Sequence, residues 1–126
     1  MNNLIGGNVT IQLKKISTEG SNRIGESNKV YQKYLKPFKG FLDYSSGEVE
    51  HKNFNSAIQE STHVFITDYI EIKEKAENLI AEIDNEMYEI KYIDNPMQLN
   101  EQLEIYLKYI GRQWNEWRSK VYKQQD

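Results

Sequence analysis

The chain contains no cysteine. Disulfides and thiolate metal sites are therefore excluded, and the composition is compatible with a reducing compartment. Only two histidines, His51 and His63, are present. A zinc-type site needs a third and fourth ligand at defined spacing, and none accompanies them. His63 lies in a strand-like run and reads as structural, whereas His51 lies in a polar stretch and reads as solvated. No apolar run of about eighteen residues occurs, so no transmembrane helix is expected. The opening MNNLIGGNVT has neither a basic leader nor a long apolar core, so no signal peptide is expected. Positive charge is also in short supply: 16 Lys and Arg stand against 19 Asp and Glu, a net charge of -3. This weighs against a free protein that finds nucleic acid through clustered cations. It leaves room for a lumen that tolerates DNA.

Catalytic signatures are missing too. No GxSxG elbow occurs, and Gly6-Gly7 is not followed by the spacing of a phosphate loop. Asp84-Asn85-Glu86 resembles a calcium loop only in composition, and a hairpin turn explains it better. Glu48 and Glu50 lie in a polar loop, a poor place to hold an acid and a base at fixed separation. The sequence therefore reads as non-enzymatic, with no cofactor and no metal.

What is present is a modest apolar inventory. At 126 residues, with 38% hydrophobic and 12% aromatic content, one domain with one core is expected. A mean hydropathy of -0.79 points to exposed loops or to segments that await a partner. Nine Tyr against four Phe suits strands and interfaces, where a ring is buried while its hydroxyl stays wet.

The clearest pattern lies in residues 79–110. Leu79, Ala81 and Ile83 alternate with polar neighbours, as do Tyr88, Ile90 and Tyr92, and then Leu103, Ile105, Leu107 and Tyr109. Asp84-Asn85 suits a tight turn because both residues tolerate positive φ, and Asp94-Asn95-Pro96 breaks the second run. Three alternating runs joined by turns predict an antiparallel meander. Helical spacing also fits Ile72, Ala76, Leu79, Ile80 and Ile83, and it fits Leu99, Leu103, Tyr106, Leu107 and Ile110. The turn residues favour strands from Leu79 onward, with a helical turn or hairpin loop near Lys73-Glu74-Lys75.

Before that region, Val9, Ile11 and Leu13 predict a strand of roughly eight residues, after a loose polar start at 1–8. Residues 17–28 are rich in turn formers and read as a loop. Residues 30–44 are aromatic-rich and carry Pro37, which predicts either an edge strand or two pieces meeting at the proline. Residues 45–60 are polar and aperiodic; in a small domain so long a loop is often functional. Residues 62–70 are β-branched and aromatic, hence a strand. After Gly111, residues Trp114, Trp117 and Val121 stand at helical spacing, which predicts a short C-terminal helix that is stable only when docked. The fold expected is thus mainly β, a small antiparallel barrel or sandwich. It has a core of about 9–111, a long loop at 45–60 and an extension at 112–126.

Two surfaces invite a binding role. Trp114, Trp117, Arg118 and Tyr122 form a candidate partner contact, since such residues are enriched at hot spots; anchoring the last helix on its own domain is an equal reading. Tyr31, Lys33, Tyr34, Lys36, Phe38 and Lys39 form a basic, aromatic cluster that would serve a nucleic-acid-binding module on a small barrel. An ordinary strand with a solvated face explains them equally, and the overall acidity favours that.

An ordered set of segments carries a family resemblance. Arg23-Ile24-Gly25-Glu26-Ser27-Asn28 is followed by Gly40-Phe41-Leu42-Asp43-Tyr44-Ser45-Ser46-Gly47, then by Ser61-Thr62-His63-Val64-Phe65-Ile66-Thr67-Asp68-Tyr69. Met87-Tyr88-Glu89-Ile90, Ile93-Asp94-Asn95-Pro96-Met97 and Leu103-Glu104-Ile105-Tyr106-Leu107 complete the series. Over roughly residues 10–109 the chain resembles the head-closure (head-completion, or stopper) proteins of tailed bacteriophages of Gram-positive bacteria, a branch of the phage head-tail joining family. The basic, Trp-bearing segment after Gly111 departs from that core.

The resemblance implies a small antiparallel barrel that assembles as a homo-oligomeric ring beneath the portal and its adaptor once DNA is packaged. It implies closure of the exit channel, a docking platform for the tail or tail-terminator protein, and double-stranded DNA in the lumen without sequence-specific binding. The place implied is the head-tail interface of the virion, assembled in the host bacterial cytoplasm, with no membrane. In that family the long inter-strand loop gates the channel. Here the matching candidates are Ser46, Gly47, Glu48, Glu50, His51, Lys52, Asn53 and Phe54. Another neck or tail-completion protein on a similar barrel is the nearest alternative.

Overall fold

The computed structural model describes residues 5–19, 28–44 and 60–111. Six strands close into one antiparallel barrel: β1 (Val9–Glu19), β2 (Asn28–Tyr44), β3 (His63–Asp68), β4 (Leu79–Ile83), β5 (Glu86–Asp94) and β6 (Gln102–Gly111). Around the wall the order is β1-β2-β3-β6-β5-β4, and β4 returns to β1. Among the described residues the helical elements are two single 3-10 turns, Ala76–Asn78 and Pro96–Gln98.

Period-two alternation builds the interior. Ile11 and Leu13, Phe65, Leu79, Ala81 and Ile83, Tyr88 and Ile90, and Leu103, Ile105 and Leu107 all turn inward and form one cluster. The expected meander is present: β4 pairs with β5 from Ile80 opposite Glu89 to Ile83 opposite Glu86, and β5 pairs with β6. Asp84 and Asn85 make the turn with φ of 56° and 66°, the left-handed geometry whose twist matches a two-residue hairpin. The helical alternative fails from Leu79 onward. Pro96–Gln98 uses its proline at the start of a single turn, after which the chain returns to β.

Several expectations need correction. β1 runs to Glu19 and spans 11 residues rather than eight, and β2 already begins at Asn28, so the predicted loop at 17–28 is strand at both ends, with 20–27 outside the described residues. β2 is one continuous strand rather than two pieces, and around Pro37 β1 is its single partner among the described strands. It pairs with β1 on both sides of Pro37, because Leu35, Lys36 and Pro37 bulge out between Phe38 opposite Ile11 and Tyr34 opposite Leu13. In a bulge the missing proline N–H costs no ladder bond. Leu35 takes φ of 65° there, and the Gln12 side-chain amide donates to its carbonyl at 3.1 Å.

Within the predicted loose start at 1–8, residues 5–8 are held; residues 1–4 lie outside the described residues. The Ile5 N–H donates to Asp68 Oδ1 at 2.6 Å. Gly7 crosses directly over Gly40: its φ is 119°, and a Cβ there would lie 2.2 Å from the Gly40 carbonyl oxygen. Only glycine permits both the conformation and the approach.

Candidate functional site

The two mouths of the barrel differ. At one, the chain between β3 and β4 crosses the opening. Tyr69, Ile70, Ile72 and Ala76 pack down on the core. The Tyr34 hydroxyl reaches up from the wall and accepts the N–H groups of Lys73 and Glu74 at 3.0 and 3.3 Å. Lys15 and Glu74 pair at 2.9 Å. The region near Lys73-Glu74-Lys75 is therefore a lid that ends in the 3-10 turn, not a hairpin.

The other mouth is lined by rings. Tyr44, His63, Tyr88 and Tyr109 lie on the inward register of four strands and meet there. Centroids are 4.9 Å apart for Tyr44–His63, 5.3 Å for His63–Tyr88 and 5.4 Å for Tyr88–Tyr109. Edge-to-face and tilted contacts of this kind contribute about 0.5–1.5 kcal/mol each beyond burial. Burial holds the His63 imidazole below its ordinary pKa of 6.5. Burial, with a smaller push from Glu86, raises the Tyr88 phenol above 10.0. His63 and Tyr88 are thus both held in their neutral forms, and the outer members of the cluster stay wet: Tyr44 is 80% exposed and Tyr109 44%.

The long polar loop is rooted on this mouth. Tyr44, the last residue of β2, faces His63, the first of β3. Just before β3, the Thr62 N–H donates to the Leu107 carbonyl at 2.8 Å, and Thr62 Oγ1 accepts the Tyr109 N–H at 2.8 Å. Glu60 pairs with Lys91 at 3.2 Å. Both ends of the loop are therefore anchored on adjacent strands above the ring cluster. The gating candidates Ser46, Gly47, Glu48, Glu50, His51, Lys52, Asn53 and Phe54 lie outside the described residues, as do Trp114, Trp117, Arg118 and Tyr122.

Beside the same mouth the wall has a notch. β1 stops at Val9 opposite Gly40, so from Phe41 to Tyr44 the strand β2 is paired with β3 alone. A cleft of about 690 Å³ opens between Val9 and the β4–β5 turn, floored by Leu42, Ile83 and Tyr88 and rimmed by Asp84 and Glu86.

On the outer face of β5 and β6, Asp94 stands opposite Glu104, and the Tyr106 hydroxyl donates to Glu104 at 2.9 Å. Burial first, then Glu104, raises the Asp94 pKa above 3.8. Among the described residues no group of three or more His, Cys, Asp or Glu side chains is placed to hold a metal ion.

The basic, aromatic cluster of β2 is dispersed by the fold. Tyr34 and Phe38 turn toward the core, Phe38 meeting Phe65 edge-on at 6.0 Å, while Lys33, Lys36 and Lys39 are exposed. Tyr31, which packs beside Ile80 and Met87, shares the strand face of Lys33, so the cluster is split between two faces rather than gathered on one. The ring cluster at the loop-bearing mouth was missed in the sequence. Its signal was an aromatic side chain on the inward register near one end of each of four runs, at Tyr44, His63, Tyr88 and Tyr109. Comparison of the sequence with protein-family models and with curated proteins gives no match.

Proposed function

We propose that the protein is a non-enzymatic structural component of a bacteriophage head-tail connector. In this reading it forms a homo-oligomeric ring below the portal and its adaptor, closes the exit channel after DNA packaging, and presents a platform to the tail or tail-terminator protein. DNA stands in the lumen without sequence-specific binding. The protein acts in the virion, at the head-tail interface, after assembly in the host bacterial cytoplasm.

One observation carries the proposal beside the sequence resemblance: the two strand ends that flank residues 45–59, Tyr44 and His63, are adjacent and anchored at one mouth of a closed barrel. A rigid barrel with its long polar loop held at one end suits a gate, which must be water-compatible and able to change shape while its support does not. The closed wall suits ring assembly through head-to-tail contacts between identical subunits.

The test is addition of the purified protein to DNA-filled, tail-less heads. Binding to the portal vertex and retention of DNA are expected. A variant with 45–59 replaced by a short Gly/Ser linker should still bind the heads but lose DNA retention. Failure to bind filled heads, or tight binding to naked DNA at physiological salt, would overturn the proposal.

A further inference from the structure

The wall of the barrel lacks one stretch of strand. In the line of β1, the chain before Val9 turns away: Gly7 crosses over Gly40, and the Ile5 N–H is tied to Asp68. β2 continues past that point through Phe41–Tyr44, with β3 along one edge and no described strand along the other. Across the gap, β1 and β4 pair only from Gln12 opposite Glu82 onward, so the Asp84-Asn85 turn lies beyond the last β1 pair.

The open edge presents backbone groups. The Lys39 carbonyl accepts the Thr67 hydroxyl from the β3 side at 2.9 Å. Strand groups alternate between edges with period two, so Phe41 and Asp43 also turn toward β3, while Gly40, Leu42 and Tyr44 turn the other way. Gly40 meets Val9 there. Leu42 and Tyr44 meet no strand among the described residues. The Tyr44 N–H instead donates to its neighbour Asp43 Oδ1 at 2.8 Å. A short polar side chain offers the backbone this local alternative to a ladder.

The space beside that edge has the dimensions and the chemistry of a strand. With β1 between them, β2 and β4 are two strand spacings apart, about 10 Å, so where β1 is missing there is room for one strand. The cleft there holds about 690 Å³. Its floor is apolar, from Val9, Leu42, Ile83 and Tyr88. Its outer side is acidic. Asp84 and Glu86 rim it, and Asp43 stands exposed on the outward register of β2. Among the described residues none of these three carboxylates is in an ion pair.

We propose that this notch is a docking site for one extended segment of a partner protein, which adds as a strand in the line of β1, antiparallel to Phe41–Tyr44, and alternates apolar with cationic side chains. Opposite Leu42 and Tyr44 the segment exchanges backbone hydrogen bonds, and its side chains point inward, onto the apolar floor and toward the ring cluster. Opposite Asp43 its side chain points outward, and a Lys or Arg there lies between Asp43 and the acidic rim. Two apolar residues flanking one cation are the shortest pattern that uses every part of the notch. The site follows from the notch and stands apart from the connector role proposed above.

The probe is an acetylated and amidated peptide, Lys-Val-Lys-Val-Lys, titrated into the full-length protein and followed by NMR shifts and amide hydrogen exchange. In the free protein the Leu42 amide should exchange quickly, and saturating peptide should slow it about tenfold or more while Val64 keeps its rate. Peptide N-methylated at both valines should give no protection, because its donors are gone. Glu-Val-Glu-Val-Glu should bind several-fold more weakly. The double variant Asp84→Asn, Glu86→Gln retains a residue that tolerates positive φ in the turn and should weaken the lysine peptide several-fold. Slow exchange of Leu42 in the free protein overturns the proposal, because the chain's own residues would then fill the notch. Shifts that map to Met97 and Leu99 or to the Asn28–Lys39 edge of β2 overturn it too, as do equal binding of the acidic or N-methylated peptide and an unchanged Leu42 at every peptide concentration. Protection that arises without peptide as the protein is concentrated assigns the notch to a second copy and overturns it as well.

Discussion

The two mouths of the barrel solve the same problem with opposite means. One is shut by backbone. The segment after β3 crosses it, drops Ile70, Ile72 and Ala76 onto the core, and is pinned by the Tyr34 hydroxyl. The other, among the described residues, is closed by side chains, four rings leaning on one another with Tyr44 largely in water. A backbone lid with satisfied N–H groups opens only by local unfolding. Rings can re-pack by rotamer change while every strand stays in place. The mouth flanking residues 45–59 is the one closed by rings.

The largest effect should come from the core that both mouths share. Phe65 is fully buried beneath Phe38, and Phe65→Ala should cost about 3–5 kcal/mol in chemical denaturation. Its loss should loosen both ends together. At the lid, Tyr34→Phe removes the acceptor of two backbone N–H groups that are within reach of water and should cost about 0.5–1.5 kcal/mol. Hydrogen exchange should then quicken at Lys73 and Glu74 and not at Thr62 or Tyr109; equal quickening at both ends would break the contrast drawn above.

A smaller effect is expected at the ring mouth. His63 has its folded pKa lowered below 6.5, so the unfolded state takes up the proton first. Stability is fully present above pH 6.5, falls as pH drops through 6.5, and levels off below the folded value. Thermal midpoints measured from pH 7.5 to 5.5 should show that slope, and His63→Gln should flatten it. The smallest effect on stability belongs to the loop. Reversing both Glu48 and Glu50 to lysine should leave the unfolding midpoint unchanged while slowing DNA release from filled heads, since cations there would hold phosphates that carboxylates repel. Unchanged retention and ejection would remove the loop's charge from the mechanism.

Local features of this fold were legible, and long-range ones were not. Asp84-Asn85 between two alternating runs specified both the β4–β5 hairpin and its turn geometry. Residue types also gave the strands at Val9, His63 and Leu103, because a half-buried strand must alternate. The pairings that close the barrel, β1 with β4 and β3 with β6, join segments dozens of residues apart, and nothing local encodes them. Pro37 misled because its bulge depends on what lies opposite, Gln12 and Ile11, not on its own neighbours. At the candidate site, the loop's length and polarity were visible, whereas the convergence of Tyr44, His63, Tyr88 and Tyr109 required knowing which strands are adjacent. A smaller buried cluster on the outer wall escaped for a related reason. Ile80 and Met87 sit at positions that alternation assigns to solvent, and only their neighbours on other strands show that they belong together.

The long strand β2 bears on when such a protein assembles. Its pairing with β3 is confined to Phe41–Tyr44, so along Asn28–Lys39 the described strands leave one backbone edge without a partner strand. An edge of that length is a template on which a second copy could grow. The exposed Lys33, Lys36 and Lys39 and the bulged Pro37 occupy that stretch. Two copies approaching edge to edge would bring like charges and a kinked ladder into register, and the encounter would be repulsive. In the ring proposed above, that edge would disfavour pairing between free copies, and a surface of opposite charge would be needed to cancel the repulsion.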